Sequence, residues 1–220
     1  MKDIRSENIK TLVFDFDGTL TKGGESLKKE SWVELGKDDL SFQKALLHAH
    51  NFFAGSKSRF EIIRYALGES SHYSKKNIEA LVEGYAFQYD QIVQRRLLAS
   101  GLIEGTIKGL EVLRNRFSLY INTSTPEIAV KESLKNLNIR HHFSGVFGKP
   151  SSKSQNLKKI IKKENVLVEN VLFIGDSEHD REVATDLGVT FIGVANKENR
   201  WKHTDFPLIH SVFDLIVLTQ

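Results

Sequence analysis

The sequence predicts an α/β protein: a doubly wound parallel sheet interrupted by an inserted helical domain. Short apolar runs with strand character alternate with segments of helical period. The alternation fails between residues 22 and 105, where the recognisable patterns are helical. Polar and acidic residues collect at the carboxyl ends of the runs, where open α/β sheets bind their ligands.

The first run, Ile9 to Phe16, reads as a strand buried on both faces, and Gly18 breaks it. The inserted block follows. Phe42, Ala45, Leu46 and Ala49 recur at helical spacing, as do Phe60, Ile63 and Leu67. Ile78, Leu81, Val82, Tyr85, Tyr89, Ile92 and Val93 form a stripe of about four turns. Gly23-Gly24 and the Gly101 to Gly105 segment bound the block as expected hinges. The expected domains are therefore 1–21 with 106–220, an α/β core, and 22–105, a helical insert. The second run, Leu119 to Ile121, ends in Asn122-Thr123-Ser124-Thr125. Thr125-Pro126 predicts a helix N-cap followed by proline at the first helical position. Gly145 to Phe147 is a short third strand, and Leu157, Ile160 and Ile161 predict the helix after it. Val171 to Ile174 is the fourth strand. Val183, Ala184 and Leu187 mark a further helix, with Gly188 where a C-terminal glycine belongs. Thr190 to Val194 and Leu215 to Leu218 are the last expected strands.

Composition narrows the function classes. The 220 residues are 40% hydrophobic and 27% charged, which suits a globular core with ample apolar material. The net charge is only +3, with lysine and arginine dispersed. The pairs Lys158-Lys159 and Lys162-Lys163 flank Ile160-Ile161 as the wet face of an amphipathic helix, so no nucleic-acid partner is expected. Without cysteine there is no disulfide, thiolate zinc site or cysteine nucleophile. Met1 to Lys10 lacks the apolar core of a secretory signal, and no run approaches the ~18 apolar residues of a spanning helix. A cytoplasmic protein with no membrane partner is the expectation.

The string Val13-Phe-Asp-Phe-Asp-Gly-Thr-Leu20 carries the chemistry. In a strand, Asp15 and Asp17 would face the same way. Two such carboxylates, left unpaired, would cost several kcal/mol, which a hard divalent cation such as Mg²⁺ relieves. Thr123 and Ser124 end the second strand; Asp176, Ser177 and Asp180 follow the fourth. Gly148-Lys149-Pro150-Ser151-Ser152-Lys153 lies between them. Carboxylates, hydroxyls and a lysine around one crevice can hold a cation and a phosphate together.

These four segments, in this order, resemble the motifs of the haloacid dehalogenase superfamily, the aspartate-nucleophile phosphatases. The resemblance covers roughly 1–21 and 106–200, and implies a Rossmann-like core. The helical insert is similar to the cap of phosphoglycolate phosphatase-like and β-phosphoglucomutase-like members. The resemblance implies that Asp15 is the nucleophile and Asp17 the general acid/base. It implies Mg²⁺ held by Asp15, Asp176 and the Asp17 carbonyl. It assigns phosphoryl oxygens to the Thr123 hydroxyl and the Ser124 amide, and Gly18 joins them as a substrate-contacting position. Asp180 would orient the lysine or the metal's water shell. The lysine itself is Lys153, which fits a Pro-x-x-Lys form, or alternatively Lys149, which fits a Lys-Pro form lacking its second proline.

The implied activity is Mg²⁺-dependent hydrolysis of a small phosphorylated metabolite. A phosphomutase is the alternative within enzymes, and a non-catalytic phosphate-binding regulatory protein is the alternative outside them. After the first motif stands Thr21-Lys22-Gly23-Gly24 rather than the usual aspartate and small or acidic residue, which counts against phosphoglycolate itself. In the cap, Gly55-Ser56-Lys57-Ser58-Arg59 resembles a substrate-reaching segment, and Arg59 or Lys57 could clamp a second anionic group. The competing expectation is an ordinary serine-capped first turn. Trp32, Phe52, Phe53 and Tyr73 are expected in the cap core. His48 and His50, two apart on a helix, cannot share a metal, and His179 stands beside the Asp176 motif.

Overall fold

The computed structural model describes residues 8–53, 57–70, 78–196, 199, 201 and 205–219. The helices are α1 (Gly24–Leu35), α2 (Leu40–Phe53), α3 (Arg59–Glu69), α4 (Ile78–Ser100), α5 (Thr106–Leu113), α6 (Glu127–Asn136), α7 (Lys153–Glu164), α8 (Glu178–Asp186) and α9 (Leu215–Leu218). The strands are β1 (Thr11–Phe14), β2 (Ser118–Pro126), β3 (Gly145–Lys149), β4 (Val171–Gly175), β5 (Thr190–Val194) and β6 (Leu208–Ile209). They form one sheet in the order β3-β2-β1-β4-β5-β6. Every neighbouring pair is parallel. The fold is the Rossmann-like α/β class that the strand–helix alternation predicts.

β1 and β4 are buried along their whole length, as strands covered on both faces must be. Val13 lies opposite Tyr120 on one side and Phe173 on the other. The chain winds outward from β1 to β3, then restarts at β4 on β1's free flank. The carboxyl ends of β1 and β4 therefore meet at the topological switch point, where doubly wound sheets open a crevice.

The chain divides into two compact units, Met1–Gly24 with Ser100–Gln220, and Glu25–Ala99. Sequence patterning puts the boundaries at 21/22 and 105/106. The sheet unit holds a few more residues because the two crossing segments pair. Ile103 N–H donates to the Leu20 carbonyl at 2.9 Å, and Lys22 N–H to Gly101 at 3.1 Å.

The helical unit has its own core. Trp32, Phe42, Leu46, Ile63, Leu67, Val82 and Tyr89 pack together. The Trp32 and Tyr89 rings stack with centroids 3.6 Å apart, a contact worth about 1 kcal/mol beyond its buried area. His50 pairs with Glu25 at 2.9 Å. Ser58 caps α3 in a reciprocal box with Glu61.

Four expectations give way. Leu215–Leu218 is a helical turn, not a strand, and β6 is Leu208–Ile209 instead. A four-residue apolar run has no period to separate the two states, and a 3₁₀ turn over Val212–Asp214 leads straight into it. β2 runs nine residues through Pro126, so Thr125 is in the strand and Pro126 itself is the N-cap of α6. β1 stops at Phe14, so the two aspartates stand beyond it and are not bound by strand alternation. Phe52 is 69% exposed, because it lies off the Phe42–Leu46–Ala49 face of α2. Gly55, Ser56 and Tyr73 lie outside the described residues.

Candidate active site

Three strand-end loops of the sheet unit supply the polar cluster. Asp15 directly follows β1, and its N–H donates to the Ile174 carbonyl at 2.8 Å, continuing the β1–β4 ladder by one residue. Its carboxylate meets Lys153, whose Nζ donates to Asp15 Oδ1 at 2.7 Å and to Asp180 Oδ1 at 2.5 Å. Lys153 is 5% exposed and Asp180 is fully buried. Deleting any one of the three would leave buried charge without its partner.

Local sequence explains how each group is held. Lys153 opens α7, which Ser152 and Gln155 cap reciprocally. The loop before it is braced by Asn156, whose Nδ2 donates to the Gly148 carbonyl at 3.2 Å. Asn122 Nδ2 donates to the Lys153 carbonyl at 2.9 Å. Asp180 is the third residue of α8 and forms a capping box with Ser177, so Oδ2 accepts from Ser177 while Oδ1 turns to Lys153. Gly175 permits this approach, since a Cβ there would stand 2.5 Å from Asp180 Cβ. Lys149 ends β3 opposite Pro126, and its peptide bond to Pro150 is cis.

Asp17 takes a different direction. Its Oδ2 accepts from Thr125 Oγ1 at 2.5 Å. The sequence expectation that Asp15 and Asp17 present their carboxylates together is therefore replaced. The oxygens that lie within 4.8 Å of one another belong to Asp15, Asp176 and Asp180. Thr123 is buried, with Oγ1 accepting from Thr125 N–H at 3.2 Å, whereas Ser124 is exposed. His179, adjacent to Asp180 in sequence, is exposed.

Gly18 adopts φ +79°, and a Cβ on it would fall 2.2 Å from Asp176 Oδ2. The Asp176 carboxylate thus packs directly on the bare Gly18 backbone. Burial pushes the Asp15 carboxyl up to about 6, against the pull of Lys153 and with help from Asp180 and Asp17. Burial pushes Asp176 up to about 8, and Asp15 and Asp180 add to it. Burial alone would lower the Lys153 ammonium, but Asp15 and Asp180 outweigh it and hold it above its ordinary value. Three carboxylates against this one ammonium leave uncompensated negative charge at a switch point. A divalent cation held by oxygen fits that donor set.

Arg59 belongs to the helical unit, where it pairs with Asp90 at 2.7 Å and lies over the Phe60 ring. Lys57 pairs with Glu61 at 2.9 Å in the serine-capped first turn. Sequence reading misses Asn122, Asn156, Asn196 and Asn199. The first signal for the last two is position alone, since Asn196 follows β5 at the ligand-binding edge of the sheet.

Comparison with known proteins agrees with this architecture. The family model for haloacid dehalogenase-like hydrolases matches residues 9–188. A 5'-nucleotidase of Pseudomonas aeruginosa is 24% identical over 195 residues, covering 83% of this chain and 81% of the relative. A predicted phosphoglycolate phosphatase of Haemophilus somnus superposes with TM-score 0.74 at 20% identity, over 97% of this chain and 99% of that one. YfnB of Bacillus subtilis, bound to magnesium, superposes with TM-score 0.70 at 18% identity, over 96% and 98% of the two chains.

Proposed function

The chain belongs to the haloacid dehalogenase-like hydrolase family and is a phosphatase-type hydrolase, and on that premise we propose that it cleaves a small phosphomonoester with Mg²⁺, through a phosphoryl group carried on Asp15. The buried Asp15–Lys153–Asp180 bridge, with an Asp176 oxygen within 4.8 Å of oxygens of both aspartates, is the observation that carries this reading.

An Asp15 oxygen attacks phosphorus, and the P–O bond to the leaving alcohol breaks. Asp17 gives that alkoxide its proton. Asp17 then takes a proton from water, which attacks the phosphorus of the aspartyl-phosphate and frees Asp15 and inorganic phosphate. Asp17 must act in both protonation states, and Thr125 supports both. A hydroxyl donates to a carboxylate and accepts from a carboxylic acid, so the 2.5 Å contact survives the exchange. Lys153 neutralises the charge on nucleophile and phosphate, while the Thr123 hydroxyl and the Ser124 and Gly18 backbone receive phosphoryl oxygens. Asp15, Asp176 and the Asp17 carbonyl would hold Mg²⁺, which supplies charge stabilisation to the phosphoryl group. Asp180 orients Lys153.

Residues 25–99 serve in this reading as the substrate-selecting cap, with Arg59 available to an anionic group once released from Asp90. The nucleotidase relative puts nucleoside 5'-monophosphates first among substrates to test. The experiment is phosphate release from nucleoside monophosphates, sugar phosphates, phosphoglycolate and p-nitrophenyl phosphate, with Mg²⁺ and with EDTA. Release only with Mg²⁺, abolished in Asp15→Asn, is expected. Undiminished turnover in EDTA or in Asp15→Asn contradicts the proposal.

A further inference from the structure

The loop after β5 makes contacts that the chemistry above does not use. Asn196 Nδ2 donates to the Gly18 carbonyl at 3.2 Å and to Asp176 Oδ2 at 3.0 Å. Its two amide protons thus join the loop after β1 to the loop after β4 from a third loop. Asn199 locks Asn196 in place. Asn196 N–H donates to Asn199 Oδ1 at 3.1 Å, and Asn199 N–H donates to Asn196 Oδ1 at 2.8 Å. Asn199 Nδ2 also donates to the Asp176 carbonyl at 3.1 Å and to the Val194 carbonyl at 2.5 Å. The Asn196 amide therefore fixes the side chain of Asp176, and the Asn199 amide fixes its backbone.

We propose that Asn196 and Asn199 are positioning residues that set the affinity of the Asp15–Asp176 cluster for its divalent cation. The proposal rests on the Mg²⁺ reading given above. Asn196 occupies Oδ2 of Asp176 and leaves Oδ1 without a hydrogen bond among the described residues, so one oxygen is spent on orientation and the other is presented. Residue 196 must be a neutral donor for this. A carboxylate there would add like charge to a buried acidic cluster, and an apolar side chain would free both Gly18 and Asp176. Gly18 shares the device: with no Cβ, it lets Asp176 lie flat on the backbone whose carbonyl Asn196 holds. Hydrogen-bond partners of ligand carboxylates act in this way on metal affinity generally.

The test is Mg²⁺ titration calorimetry on the full chain without substrate, alongside the melting temperature of the metal-free protein. The variants are Asn196→Ala, Asn196→Ser and Asn199→Ala. Asn170→Ala is the control, because Asn170 Nδ2 makes an equivalent amide bond to the Asn8 carbonyl away from the cluster. Asn196→Ala is expected to weaken Mg²⁺ binding about 10–100-fold, with Asn196→Ser recovering part of the loss through its hydroxyl and Asn170→Ala leaving it unchanged. In turnover, the half-saturating Mg²⁺ concentration should rise by more than kcat at saturating Mg²⁺ falls. If Asn196→Ala does not fold, Asn196→Ser and Asn199→Ala carry the same comparison. Folded variants that bind Mg²⁺ within twofold of wild type overturn the proposal, as does a control that weakens binding equally. A wild-type chain that binds no Mg²⁺ overturns the parent reading and this one with it.

Discussion

Replacing Lys153 with methionine keeps most of the side-chain volume and removes the ammonium that Asp15 and Asp180 share. Both carboxylates are nearly or fully buried, at 5% and 0% exposure. Breaking a buried pair by deleting one partner costs about 3–5 kcal/mol. For each of the two carboxylates, protonation sets a ceiling on this cost. A carboxylic acid with an ordinary value near 4 stays protonated at pH 7.5 for about 5 kcal/mol, and at pH 5.5 for about 2 kcal/mol. The destabilisation should therefore be about 3–5 kcal/mol at pH 7.5 and clearly smaller at pH 5.5, where the ceiling for each carboxylate falls to about 2 kcal/mol. For a chain of this size that is a fall in Tm of about 6–20 °C at the higher pH. Thermal melts of the metal-free protein, followed by circular dichroism at both pH values, measure it. A Lys153→Met chain within about 1 kcal/mol of wild type at pH 7.5, or a loss independent of pH, refutes the reasoning, because a charge bridge that matters must be sensitive to the protonation of its partners.

Three further outcomes follow from the same cluster. Asp176 is raised to about 8, so the metal-free folded state holds a proton that the unfolded chain has already released above pH 4. Its contribution to stability is therefore full below pH 4 and is lost as pH rises through about 8. Mg²⁺ needs the deprotonated group, so the Mg²⁺-induced gain in Tm should be larger at pH 8.5 than at pH 5.5; an equal gain at both contradicts the assignment. Thr125→Val removes the hydroxyl on Asp17 and should lower kcat about 10–100-fold with little change in Mg²⁺ affinity, as steady-state kinetics against Mg²⁺ would show. Gly18→Ala drives a Cβ to 2.2 Å from Asp176 Oδ2 at a positive φ. It should cost about 1–3 kcal/mol in stability and weaken Mg²⁺ binding in calorimetry, and unchanged values in both would contradict the packing described.

Local motifs carried far into this fold, and non-local geometry limited them. The order β1 to β5 was readable because each strand is an apolar run closed by a polar loop, and the helices after β3 and β4 show i, i+3, i+4 apolar spacing. Leu215–Leu218 defeated the same logic, since four apolar residues hold barely one turn. The Asp15/Asp17 string named its own residues but not their directions. Strand alternation applies only within β1, which ends at Phe14, and the Asp17 carboxylate is claimed by Thr125, more than a hundred positions away in sequence. Spacing left Lys149 and Lys153 both open. The bridge that Lys153 makes depends on a cap at Ser152 and on Asn156 bracing the preceding loop, and no single-residue signal displays that. Asn196 and Asn199 carry no pattern of their own. Their amides matter because β5 ends beside β4, which is a property of the sheet order.

In the proposed reaction Asp15 carries the phosphoryl group. Acid-quenching the enzyme during turnover of its best substrate, then reducing with borohydride, converts an aspartyl-phosphate to homoserine. Peptide mass spectrometry reads which residue was converted. Conversion at residue 15 that requires both substrate and Mg²⁺ is the predicted result. Conversion at another position, or none while Asp15→Asn still turns over substrate, contradicts it.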